Sequence, residues 1–182
     1  MDSFSPETIG AIVGAFLLLF HVAALLLKKD FGKWMQKFPR SRGWGSVLLS
    51  MAATWTFLLV RRMDLGEFTN LRTIVLGSVA VAALLIWLLL QEFLAARSTG
   101  LLILLAADPV LNACILWPKS YRLPLVALTY ICILCALVWS SMPFLMRDQI
   151  AWLTASSWRW NIAAGIGVIV GCCILSGSLL RV

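Results

Sequence analysis

Read from the amino terminus, the chain is a series of long apolar runs separated by short polar connections. The runs cover Ile9–Leu27, Gly45–Val60, Thr73–Leu90, Gly100–Trp117, Leu123–Met146 and Asn161–Leu180, and Asp108 is the one charged side chain inside them. None shows the strict alternation of a half-buried strand, and most approach the roughly 20 residues a helix needs to cross a bilayer. In hydrocarbon, backbone groups must bond within their own segment, so such runs are helices. The pattern predicts an all-α, polytopic transmembrane bundle of about six spanning helices, forming a single integral membrane domain over residues 1–182.

Two stretches fit neither span nor loop. Phe31, Trp34, Met35 and Phe38 recur at helical spacing among lysines, the pattern of an interfacial amphipathic helix. Ile150, Trp152, Leu153 and Trp158 suggest a second such segment. Tryptophans 44, 117, 158 and 160 stand at predicted span ends, where an interfacial aromatic belt is expected.

Composition strengthens the membrane reading. Of 182 residues, 62% are hydrophobic and 13% charged, with a mean hydropathy of +0.95. A soluble fold of this size exposes too much surface to hide that apolar content. The net charge of +7 raises the question of nucleic acid, but the basic residues lie between apolar runs rather than along a solvated stripe. They read instead as orientation signals and as contacts to anionic lipid headgroups, above all over Lys28–Arg42. No nucleic-acid partner is expected.

The same residues predict orientation. With an even number of crossings, Lys28, Lys29, Lys33, Lys37, Arg40, Arg42, Arg97, Arg147 and Arg159 share one side. Arg61, Arg62, Arg72, Lys119, Arg122 and Arg181 share the other. The richer side is cytoplasmic, which puts both termini outside a plasma (inner) membrane. Asp2 and Glu7, with no Lys or Arg, precede the first run, so it is expected to be a span and not a cleaved signal peptide.

Ionisable groups within spans need a physical reason. His21 in the first span and Asp108 in the fourth are expected at nearly one depth, with Asn112 a turn beyond Asp108 on the same face. Pro109 cannot donate to the helical ladder and disfavours α geometry in the residue before it. The fourth span is therefore read as two half-helices, Asp108 capping the second, an arrangement that builds ion sites in transporters. Glu92 and Arg97 are expected to pair at the cytoplasmic interface. Cys132 and Cys135 form a CxxC on one helix face, the raw material of a redox pair, although an apolar site leaves thiols inert. One histidine cannot found a histidine-based metal cluster, so no metal or cofactor is expected. Gly10-xxx-Gly14 and Ala163-xxx-Gly167-xxx-Gly171 are small-residue faces for close helix packing.

No nucleotide loop, serine elbow or HExxH is present, and no soluble apparatus surrounds the spans. The expected function is a non-enzymatic accessory, assembly or structural subunit that meets a membrane-protein partner or a second copy. The alternatives are a small proton- or ion-coupled transporter or channel at the Asp-Pro kink, and an intramembrane thiol–quinone oxidoreductase using Cys132 and Cys135.

Overall fold

A computed structural model describes residues 6–115 and 119–179. Among these residues there is no strand, and eight helices follow one another: α1 (Pro6–Leu26), α2 (Lys28–Lys37), α3 (Arg42–Arg62), α4 (Arg72–Leu89), α5 (Leu94–Ile115), α6 (Lys119–Ser141), α7 (Pro143–Thr154) and α8 (Ser157–Leu179). Six are long and apolar enough to cross a membrane: Glu7–Leu26, Arg42–Arg62, Gly66–Leu89, Leu94–Ile115, Arg122–Ser141 and Ser157–Leu179. The chain is thus an all-α transmembrane bundle with short helices between its spans. Ile74 and Leu19, each about two-thirds exposed, are typical of side chains that only lipid could cover.

Helix ends depart from the apolar runs for identifiable reasons. The second span gains length because Ser41 caps α3, its hydroxyl accepting from Trp44 N at 3.3 Å, and because Arg61 and Arg62 suit the carbonyl-rich end. The fourth span starts at Leu94, not Gly100. The fifth stops at Ser141, short of Met146, because Pro143 has no N–H and restricts Met142; the chain restarts there as α7. The sixth starts at Ser157, ahead of Asn161. Its expected last residue, Leu180, and the fourth span's Trp117 lie outside the described residues.

The chain divides into two compact units. One comprises Met1–Gln36, Ala106–Leu134 and Arg147–Val182. Its frame is the antiparallel pair α1 and α8. A Cβ added to Gly14 would come 2.9 Å from Leu175 N, and one on Gly171 would come 3.0 Å from Leu18 N. Gly167 lies under the imidazole of His21, and Lys28 Nζ donates to Asn161 Oδ1 at 3.1 Å. Each step forward along α1 therefore matches a step back along α8, and the start of one lies beside the end of the other. Lipid removes most of the hydrophobic drive between helices, so dispersion across a close approach has to hold such a pair, and small residues permit that approach. Cys114, Leu125 and Ile174 form the buried core beside it, packed by Val13, Leu17 and Val110.

The other unit comprises Lys37–Leu105 and Cys135–Met146. Here Trp87 Nε1 on α4 donates to Ser46 Oγ on α3 at 3.1 Å. Gly45 lets α3 approach the first turn of α5, since a Cβ there would lie 2.8 Å from Ala95 N. Gly100 does the same toward α6, where a Cβ would come 2.8 Å from Ala136 O. No residue of α4 is buried, and Ile74, Val81, Leu84, Leu85 and Leu88 are among its exposed side chains.

Candidate functional site

Asp108 stands on α5, and the helix carries Pro109 without breaking: Leu94–Ile115 is one α-helix. The half-helix expectation therefore fails. A spanning helix tolerates the lost ladder bond of proline where its neighbours and local adjustments compensate, so a break is not obligatory. Asp108 is exposed, not a cap, and its Oδ1 accepts from Asn112 Nδ2 at 3.1 Å, an i,i+4 pair. Because α5 begins at Leu94, Asp108 lies about 20 Å along the helix from that end and about 10 Å from Ile115.

His21 has a different setting. Its Nδ1 donates to Leu17 O at 2.8 Å, and since a carbonyl only accepts, that nitrogen carries the hydrogen. Its ring covers Gly167 so closely that a β-carbon would overlap it. His21 lies only about 8 Å along α1 from Leu26, so the shared depth expected for it and Asp108 does not hold. Among the described residues no hydrogen bond or ion pair joins the two.

The remaining candidates fall in separate places. Glu92 and Arg97 make no ion pair among the described residues. The chain turns at Phe93, whose φ is 57°, leaving Glu92 exposed outside the helix while Arg97 is half-buried in the first turn of α5. Arg40 instead lies over the Phe93 ring, 5.6 Å from its centroid. Cys132 and Cys135 are both half-buried on α6, and neither forms a disulfide. Among the described residues no group of three His, Cys, Asp or Glu could hold a metal ion. Gly10 is buried, and Gly14, Gly167 and Gly171 lie in the contact of α1 with α8.

The aromatic belt also needs correction. Trp44 and Trp158 are exposed, but Trp160 is buried, and its Nε1 donates to Ala24 O at 3.0 Å. The early start of α8 places this ring in the first turn, against the small Ala24. Of the second amphipathic stretch, Ile150 is buried and Trp152 exposed on α7, while Trp158 belongs to α8. Sequence reading missed Trp160 as a locking residue. The signal available for it was weak, a tryptophan facing one end of a run with alanine at the matching end of another.

The sole polar feature on the outside of a spanning helix at depth is thus, among these candidates, the Asp108–Asn112 pair. No known protein family, no curated protein and no solved structure matches the chain.

Proposed function

We propose that this chain is a non-enzymatic accessory or assembly subunit of a membrane complex, seated in the plasma (inner) membrane with both termini outside. The excess of Lys and Arg over residues 28–42 supports that orientation. The observation that supports the role is the exposure of Asp108 and Asn112 on α5. A carboxylate at the centre of a spanning helix costs about 2.5–3.5 kcal/mol even on the gentlest insertion scale, and Asp108, about 10 Å inside the end of α5, bears part of that cost. Nothing in the described chain neutralises it, since Asp108 forms no ion pair there. A second copy would bring no remedy at that depth. Among the described residues, Lys and Arg stand in the short helices, the connections, or the first and last turns of the long ones. The partner that fits is another membrane protein whose spanning helix carries a Lys or Arg at the depth of Asp108.

The test is site-directed photocrosslinking from Ile115, which is exposed one turn beyond Asn112 on the same face. The crosslinked peptide should be a spanning segment of another protein, with a basic residue within a turn of the crosslink. Asp108→Asn should cut the yield about tenfold, as expected when a desolvated charge pair is lost. Crosslinks only to lipid or to a second copy, or a yield indifferent to Asp108→Asn, would overturn the reading.

A further inference from the structure

Where α2 meets the start of α8, the first unit holds a polar bowl of about 440 Å³. One wall is the face of α2 that carries Lys28, Lys29, Lys33 and Gln36; the other is Thr154, Ser156 and Ser157. Helical spacing places the lysines, at positions i, i+1 and i+5, within an arc of about 140° around α2, and leaves Asp30 outside that arc. Gly32 is buried between the walls.

Three features give this bowl the chemistry of an anion site. No carboxylate lines it, and among the described residues none of its three lysines has one within ion-pairing distance. The polar groups at its two ends are fixed. Lys28 Nζ donates to Asn161 Oδ1 at 3.1 Å, and Gln36 Nε2 donates to Thr154 Oγ1 at 2.7 Å. The hydroxyls of Ser156 and Ser157 sit where α8 begins, next to backbone N–H groups that no preceding turn can satisfy.

The setting selects the source of the anion. Trp160 lines the bowl and is buried, with Phe31 6.2 Å from it and Phe20 5.1 Å from Phe31, centroid to centroid. The bowl thus lies between the end of one spanning helix, α1, and the start of another, α8, with the Trp160–Phe31–Phe20 cluster adjoining it. Soluble phosphate has no use for that position. A phospholipid does, because its phosphate and its acyl chains part at this level.

We propose that this bowl is a specific site for the phosphate headgroup of an anionic phospholipid, held by Lys28, Lys29 and Lys33 with the Ser156 and Ser157 hydroxyls. It is separate from the α5 face argued above.

The test uses the full chain in nanodiscs of phosphatidylcholine containing graded phosphatidylglycerol, with lipids retained on mild ejection counted by native mass spectrometry. One phosphatidylglycerol per chain should persist, favoured over phosphatidylcholine. Lys33→Gln should weaken retention about fivefold, as expected for one lysine at a lipid surface. Lys37→Gln makes the same charge change on α2 outside the bowl and should leave retention within about twofold. Helical content by circular dichroism should not change in either variant, since both side chains are exposed. Equal losses in the two variants would mean a diffuse basic surface and overturn the site. So would equal retention of the two lipids, or displacement of the lipid by millimolar inorganic phosphate, which would mark a soluble ligand instead.

Discussion

Gly167 and His21 together define how tightly α1 and α8 meet. A β-carbon at Gly167 would overlap the imidazole, which would have to rotate away and give up its bond to Leu17 O. Gly167→Ala should therefore destabilise the chain by about 1–3 kcal/mol, the usual range for overpacking. Gly165→Ala, whose Cβ meets nothing within 4 Å, should be neutral or stabilising, because alanine favours the helix. In a His21→Ala background the obstacle is gone, and Gly167→Ala should cost much less. Unfolding by sodium dodecyl sulfate titration in mixed micelles measures all three. A cost for Gly167→Ala that is the same in both backgrounds would refute the packing. At this scale the sequence made the small-residue faces visible by their spacing, but not which helix each one meets. That pairing depends on side chains more than a hundred positions apart, and hydropathy does not encode it. Asp108 shows the opposite error. Its proline neighbour suggested a break, whereas the helix absorbs Pro109 and leaves the carboxylate outside.

At the level of the element, apolar runs and helices turn out to be different objects. Hydropathy marks what lipid can cover; caps and prolines mark where the backbone stops. Ser41 extends α3 backward beyond its run, and Leu94–Thr99 are helical although Arg97, Ser98 and Thr99 are polar. Pro143 divides what reads as one long run into α6 and α7. That division yields a prediction. Pro143→Ala restores the missing N–H, so α6 and α7 should join into a single helix. Spin labels at Leu137 and Phe144 should then settle at about 10 Å along the axis, seven residues of regular rise. Labels that keep their unsubstituted separation would mean that something other than the proline ends α6. The interfacial helix α2 was legible from Phe31, Trp34, Met35 and Phe38. Its basic face was legible as charge, but the wall opposite it, Thr154 to Trp160, was not, because only tertiary contact brings it there.

At the scale of the whole molecule, six helices are long and apolar enough to cross the membrane. The antiparallel pairing of α1 with α8 puts the start of one helix beside the end of the other, which an even number of spans requires. The orientation and the basic bowl both depend on the Lys28–Lys37 segment lying on the cytoplasmic surface. The α5 reading depends on Asp108 lying within lipid. One measurement addresses this shared premise most directly. In a cysteine-free background, single cysteines at Lys37, Glu67, Glu92 and Asp148, all exposed, are treated in intact cells with a membrane-impermeant maleimide. Glu67→Cys should be labelled at once, and Lys37→Cys, Glu92→Cys and Asp148→Cys only after permeabilisation. Labelling of Lys37→Cys and Glu67→Cys from the same side would show that α3 does not cross the membrane, and would contradict the account.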